Sequence, residues 1–300
     1  MLTGFHVAVI GGDARQIEII RRLNGWDATV YIAGFNQLNE SFTEAIDLDF
    51  ESEQVKQLDA IILPIPGMDE EGNVDGIFSN RLISISEDWL KKTPEHCLIF
   101  TGISNNYLND LTKRVNRSLI PLMDRDDVAI FNSIPTVEGT IMLVIQHTDF
   151  TIHGSRVIVL GLGRVGMGLA RTFDHLGAEV SVGVRSSKSA ARVYEMGLTP
   201  IDMTNLQDVD LECDILLNTV PQLVVDASII KQLPSHALIL DLASKPGGTD
   251  FSYADKRGIK AILAPGLPGI VAPKTAGQII ADVVYRLLSK NIRKEIDHDA

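Results

Sequence analysis

The chain has 300 residues, 45% hydrophobic and 22% charged, with 27 Lys and Arg against 39 Asp and Glu and a net charge of −12. That length buries one large core or two of ordinary size. The acidic balance argues against a nucleic-acid partner, because phosphate binding draws on clustered Lys and Arg. The longest apolar runs, such as Val157–Leu160 and Ile215–Leu217, are strand-length, so no membrane span (about 20 apolar residues) is expected. Met1–His6 leads straight toward a strand with no basic-then-apolar leader, and a cytoplasmic location is expected. Cys97 and Cys213 each open an apolar run and form no Cys-x-x-Cys pair, which predicts buried, reduced thiols and no metal site.

Short β-branched runs alternate with helix-period segments along the whole chain, the pattern of parallel βαβ units. In the first half strands are predicted at Phe5–Ile10, Ala28–Ile32, Ala60–Leu63, Cys97–Thr101 and Val128–Phe131, with helices at Arg15–Leu23 and Tyr107–Val115. Asp69–Gly76 reads as an exposed loop. Ile134 to His147 reads as a helix whose first turn contains Pro135, where a missing N–H costs nothing. The strand series then restarts at Arg156–Leu160, Glu179–Val184, Asp214–Asn218, Ala237–Leu242 and Lys260–Leu263. Ala276–Leu288 is a last apolar-periodic helix, and the charged tail Asn291–Ala300 is expected to fray.

The fold class expected is therefore α/β: two doubly wound Rossmann-like domains, joined by interdomain helices, with a cleft between them. The expected boundaries are 1–133 for a substrate domain, which regains the C-terminal helix 274–292, 134–150 for an interdomain helix, and 151–273 for a dinucleotide-binding domain.

The strongest motif is Gly161-Leu162-Gly163-Arg164-Val165-Gly166, which follows an apolar strand and opens a helix at Val165–Leu176. In that setting Gly161 permits a tight turn, Gly163 admits the pyrophosphate close to the backbone, and Gly166 lets helix and strand pack closely. The pyrophosphate then rests on the helix N-terminus, where free N–H groups and the dipole favour an anion. The next strand ends Val184-Arg185-Ser186-Ser187-Lys188, with no carboxylate to accept from a ribose 2′-OH. Arg185 and Lys188 can pair with a 2′-phosphate and both serines can donate to it, so NADP is expected over NAD. In the first half, Gly11-Gly12-Asp13 lacks the third glycine and sets an acid where a pyrophosphate belongs. It reads as a degenerate turn.

Ligands of open α/β sheets bind at strand C-terminal ends. Thr219, Val220 and Pro221 end one predicted strand of the second half, and Ala243, Ser244 and Lys245 end another. Pro268 and Lys274 lie in the Pro/Gly-rich stretch that follows the last. From the first half, Thr101, Gly102, Ser104 and Asn105, and separately Ser133 and Thr136, read as strand ends with hydroxyls and amides suited to a small polar acid. Lys245 and Lys274 are candidates to hold carboxylates, and Glu138 is a candidate base. No histidine stands in a convincing catalytic place, which weakens a hydroxyacid substrate, whose oxidation wants a general base of near-neutral pKa.

The segments GGDARQ (11–16), GISN (102–105), Asn132–Asp149, GLGRVGM (161–167), LASKPGGTDF (242–251) and APGLPGIVAPKTAGQI (264–279) closely resemble the dipicolinate synthase A-subunits of spore-forming bacilli. More distantly the layout resembles alanine dehydrogenase, adenosylhomocysteinase and the D-2-hydroxyacid dehydrogenases. The first resemblance implies an NADP-dependent oxidoreductase that converts dihydrodipicolinate to dipicolinate in the mother cell during sporulation, together with a flavoprotein-like B-subunit. A homo-oligomer is expected. The other readings are a D-2-hydroxyacid dehydrogenase-like enzyme and a non-catalytic subunit that binds NADP(H) or channels substrate.

Overall fold

Parallel ladders join the β-branched runs into two separate six-stranded sheets in the computed structural model. The structure describes residues 1–298 except 39–41, 43 and 210, and leaves out the side chains of 291–298. The expected fraying of Asn291–Ala300 falls outside the described side chains.

The first sheet comprises β1 (His6–Ile10), β2 (Thr29–Ala33), β3 (Ala45–Asp47), β4 (Ala60–Ile62), β7 (Leu98–Thr101) and β8 (Ser118–Pro121). A two-stranded hairpin, β5 (Asn73–Val74) and β6 (Ile83–Ser84), is inserted between β4 and β7. Helices α1 (Ala14–Gly25), α2 (Glu87–Lys91) and α3 (Asn106–Arg114) intervene. The strand order is β3-β2-β1-β4-β7-β8, all parallel. Helix α4 (Asp126–His147) follows.

The second sheet repeats the plan with β9 (Arg156–Leu160), β10 (Glu179–Val184), β11 (Thr199–Asp202), β12 (Ile215–Asn218), β13 (Leu238–Asp241) and β14 (Lys260–Leu263). Its order is β11-β10-β9-β12-β13-β14, again all parallel. Helices α5 (Arg164–His175), α6 (Ser187–Glu195), α7 (Ala227–Ile230), α8 (Phe251–Lys256) and α9 (Leu267–Val271) belong to it, and α10 (Pro273–His298) closes the chain. Both orders reverse beside the first strand, which opens a crevice at the strand C-termini. The fold is two Rossmann-like units: Met1–Phe131 with Ala272–Ala300, and Asn132–Val271.

Each sheet is covered on both faces, so its strands read as apolar runs rather than alternating ones. Val7, Val9, Val30 and Ile62 pack under α1 and α10 residues such as Ile19, Ile20, Ile280 and Val284 on one face of the first sheet. Ala8, Ile10 and Ile61 face Trp89, Leu108 and Leu111 on the other. In the second sheet Val157, Val159 and Val182 meet Leu169 and Phe173 of α5.

Two predicted elements differ. The strand expected at Val128–Phe131 is the start of α4, and Pro135 lies inside that helix rather than in its first turn. Four apolar residues cannot distinguish a strand from a buried turn of helix, whereas Asp126 and Asp127 suit the positive N-terminal end of one. The missing sheet position is filled by β8, a short Ser-Leu-Ile-Pro segment without a strand-length apolar run. Consequently α4, 22 residues long, has a span-length apolar window of mean hydropathy 1.6, 39% buried. It is long and apolar enough to cross a membrane by length and composition. Val128 lies in the core of the first unit, and Val137 and Val144 lie in that of the second.

The stretch Asp69–Gly76 is likewise more than an exposed loop. Val74 is 4% exposed, and the segment bridges Gly12 through Gly76.

Cys97 and Cys213 are both free and 0% exposed, and burial pushes each thiol up to about 12. Thiolate is the reactive species. Iodoacetamide at neutral pH should therefore label neither cysteine in the folded chain and both after denaturation, as read by mass spectrometry.

Candidate functional site

The two glycine turns sit in equivalent places and differ in chemistry. In the second unit Gly161 leaves β9 at φ +96°, and its N–H donates to the Gly183 carbonyl at 2.9 Å. A Cβ there would come within 2.5 Å of Thr219 Oγ1, and one on Gly166 would overlap the Gly161 carbonyl oxygen. Both positions are held to glycine by packing. Gly163 is different: it caps α5 with extended backbone and no side-chain hydrogen bond, and a Cβ there would meet nothing within 4 Å. The first turn of α5 carries no acidic residue. Open space before an uncapped, 12-residue helix is what a dinucleotide pyrophosphate requires.

The first unit closes the equivalent place with its own atoms. Asp13 caps α1, accepting from Arg15 N–H at 3.0 Å, and its carboxylate pairs with the Arg15 guanidinium at 2.6 Å. Burial works against that charge, yet the hydrogen bonds from Arg15 hold the carboxyl below its usual range. Gly12 N–H donates to the Asp75 carbonyl at 2.7 Å, and the Asp75 carbonyl stands 2.5 Å from where a Gly11 Cβ would lie.

At the end of β10, Arg185 donates through Nη2 to Gln222 Oε1 at 3.0 Å, across the end of β9. Ser186 caps α6, accepting from Ser189 N–H at 3.1 Å, and Ser187 and Lys188 form its exposed first turn. A cavity of about 320 Å³ lies here, lined by Val184, Arg185, Ser186, Ser187, Ala190, Pro200, Ile201 and Asp202. Asp202 is a carboxylate outside the expected site, because the apolar pattern does not announce β11. Its carboxyl accepts from Thr204 N–H at 2.9 Å and from the Thr204 hydroxyl at 2.8 Å, which hold it below its usual range.

At the opposite side of the crevice, Asn218 and Asp241 end β12 and β13 in register and are both 0% exposed. Asp241 Oδ2 accepts from Asn218 Nδ2 at 3.1 Å, Gly248 N–H at 2.7 Å and the Thr249 hydroxyl at 2.6 Å, while Oδ1 accepts from Ala243 N–H at 3.1 Å. Ser244 and Lys245 are exposed on the loop so held. Neither Asn218 nor Asp241 stands out in the sequence. The available signal is a polar residue ending each of two adjacent apolar strands.

The structure thus gathers Gly161, Leu162, Gly163, Arg164, Val165 and Gly166 with Val220, Pro221, Ala243, Ser244 and Lys245 along one edge of the second sheet. Thr219 is half-buried beside the glycine turn, its hydroxyl donating to the Leu160 carbonyl at 2.8 Å.

Several other expected site residues are engaged by neighbouring atoms or lie on helices. Thr101 is 0% exposed, and its hydroxyl donates to the Ile103 carbonyl at 3.1 Å. Asn105 caps α3, accepting from Leu108 N–H at 2.8 Å and donating to the Met68 carbonyl at 2.6 Å. Gly102 is tight against Ile65. Ser104 Oγ accepts from Asn109 Nδ2 at 3.4 Å. Ser133 and Thr136 are not strand ends but lie within α4, where the Thr136 hydroxyl donates to the Asn132 carbonyl at 2.8 Å. Glu138 is exposed on α4, Pro268 lies in α9, and Lys274 is exposed in the first turn of α10. Two of the histidines pair with carboxylates at strand starts: His96 with Asp59 at 2.9 Å, and His236 with Asp214 at 2.8 Å.

Residues 6–123 match the N-terminal domain of the dipicolinate synthase A-subunit, and residues 142–244 match the D-isomer specific 2-hydroxyacid dehydrogenase NAD-binding domain. The dipicolinate synthase A-subunit of Bacillus subtilis (strain 168) is 55% identical over 290 residues, covering 97% of this chain and 98% of that protein. The chain belongs to the dipicolinate synthase A-subunit family. The crystal structure of that family's member from Bacillus halodurans superposes with a TM-score of 0.92 at 56% identity, over 96% of this chain and 99% of that one. The corresponding crystal structure from Bacillus subtilis gives 0.93 at 54%, over 98% and 99%. The dehydrogenase-type match spans the glycine turn, the β10 end and the loop through Ser244, and it supports a nicotinamide cofactor and an oxidoreductase activity for this chain.

Proposed function

We propose that the chain is the NADP-dependent dehydrogenating component of a dipicolinate synthase. It oxidises dihydrodipicolinate to dipicolinate in the mother-cell cytoplasm during sporulation, assembling with itself and with a flavoprotein-like B-subunit. The observation that carries this reading is the pairing of an open α5 N-terminus at Gly163 with a β10 end that presents exposed Arg185 and Lys188 and whose nearby carboxylate, Asp202, is turned onto Thr204. When bound, NADP⁺ supplies a hydride acceptor. Gly163 and the α5 amides hold the pyrophosphate. Arg185, Ser186, Ser187 and Lys188 hold the 2′-phosphate, with Asp202 turned onto Thr204.

Residues at the β10 end would hold the adenosine half, and Val220, Pro221, Ala243 and Ser244 the nicotinamide half. Lys245 or Lys274 holds a substrate carboxylate, and Glu138 is the carboxylate candidate for a proton. The substrate loses a hydride and a proton as its ring becomes aromatic, giving dipicolinate, NADPH and H⁺. Aromatisation supplies driving force, so the absence of a histidine base at these loops is no obstacle.

The test mixes the purified chain with NADP⁺ and enzymatically generated dihydrodipicolinate and follows NADPH and dipicolinate by absorbance, with and without the B-subunit. Dipicolinate formed with NADPH supports the reading. Oxidation of D-2-hydroxyacids instead, or coenzyme binding without any turnover in either condition, overturns it. Coenzyme preference has a separate check. Arg185→Asp should weaken NADPH binding by about 100-fold and NADH binding by no more than about threefold, the loss of a charge-assisted phosphate contact. Equal losses by fluorescence titration would remove the 2′-phosphate assignment.

A further inference from the structure

We propose that Asp241 is a positioning residue for the reaction: through Thr249 and Gly248 it fixes the Ser244–Lys245 loop over the nicotinamide side of the crevice. The inference rests on the dehydrogenase reading above and deepens it. One buried carboxyl closes the loop at both ends, accepting from Ala243 N–H just after β13 and from Gly248 N–H and the Thr249 hydroxyl where the loop ends. The same Oδ2 accepts from Asn218, whose own Oδ1 accepts from Val220 N–H at 3.0 Å.

The returning strand of the loop is fitted against the neighbouring one without slack. A Cβ on Gly248 would lie 2.3 Å from the Gln222 carbonyl oxygen and 2.4 Å from that of Val220. Val224 and Val225 N–H both donate to the Gly248 carbonyl, at 3.0 and 2.9 Å. The loops after β12 and β13 therefore behave as one piece, and Asp241 is the group at which they meet. Lys245 itself is exposed on the loop between these ties. Its ammonium is aimed only as well as the loop beneath it.

A buried carboxyl that accepts from four donors has one function an amide cannot take over. In Asp241→Asn, one oxygen can still serve one side, but the NH₂ then faces a buried N–H or hydroxyl donor. The loop must shift, and shifts near 1 Å at a positioning element cost on the order of 100-fold in rate. The adenosine and pyrophosphate contacts lie on other strands and stay intact.

The experiment measures kcat and KM for dihydrodipicolinate at saturating NADP⁺, and NADPH affinity by fluorescence, in the full-length chain with its B-subunit. Asp241→Asn and Thr249→Val should each lower kcat/KM by at least about tenfold, with NADPH affinity within about threefold of wild type. Thr249→Ser, which keeps the hydroxyl, should restore wild-type values. Should Asp241→Asn fail to fold, the Thr249→Val and Thr249→Ser pair decides alone. The proposal is overturned if Thr249→Val and Thr249→Ser have the same kcat/KM, or if coenzyme affinity falls in step with turnover. A wild-type chain that binds NADPH but never turns over dihydrodipicolinate sinks the functional reading instead.

Discussion

Gly163→Asp should leave the protein folded, with an unfolding temperature equal to or slightly above that of the wild type, while NADPH affinity falls by about 100-fold or more. Gly163 has ordinary backbone angles (φ −79°, ψ −164°) and empty space where a side chain would go. As the cap of α5 it has no side-chain oxygen to offer the first-turn amides. An aspartate supplies one, so the helix gains a cap. The same change places a negative charge where two phosphates must approach, and each 1.4 kcal/mol of repulsion costs about tenfold in affinity. The first unit already carries this arrangement at Asp13, which caps α1 and pairs with Arg15. Calorimetric titration with NADPH beside a thermal melt separates the outcomes: undiminished binding would mean that the pyrophosphate does not rest on α5.

Gly166→Ala, three residues on in the same motif, should act in the opposite way. Its Cβ would overlap the Gly161 carbonyl oxygen, with Thr219 Oγ1 also close at 3.3 Å. The obstruction is backbone, itself fixed by the Gly161 turn and its hydrogen bond to Gly183. The helix must move off the sheet, at a cost of about 3 kcal/mol for overpacking. Thermal unfolding of the second unit should fall by about 10 °C, with coenzyme binding lost alongside. An unchanged melt would show that α5 does not lie as close to β9 as described. One motif therefore holds one glycine for the ligand and two for packing, and stability measurements tell them apart.

Much of this was legible in the chain itself. A sheet covered on both faces requires continuous apolar strands, and such strands separated by helical periods are readable without any fold in hand. The runs at Glu179–Val184 and Lys260–Leu263 coincide with β10 and β14. The glycine fingerprint was equally plain, because its spacing is dictated by one local turn. The failures share a cause. Val128–Phe131 is apolar enough for either strand or helix, and which it becomes is decided by its place at the start of the 22-residue α4, where Val128 is buried while Ile130 and Phe131 are exposed. Residues 118–121 and 199–202 each contain a proline and some polar residues, and they become strands at sheet edges because a neighbour offers them a ladder.

What the sequence determined by itself was the local grammar: two βαβ series, one competent phosphate turn and one spoiled by Asp13. Which polar side chains are available to a ligand was decided only by tertiary structure. Thr101, Thr219 and Asn105 look like site residues when read along the chain, yet their hydrogen bonds are consumed by neighbouring backbone. Asp241 looked like the end of a strand, and it meets Asn218, 23 residues away, only because β12 and β13 pair in register. A hydrogen bond depends on distance through space. Sequence reports distance along the chain, and the two agree only within a turn.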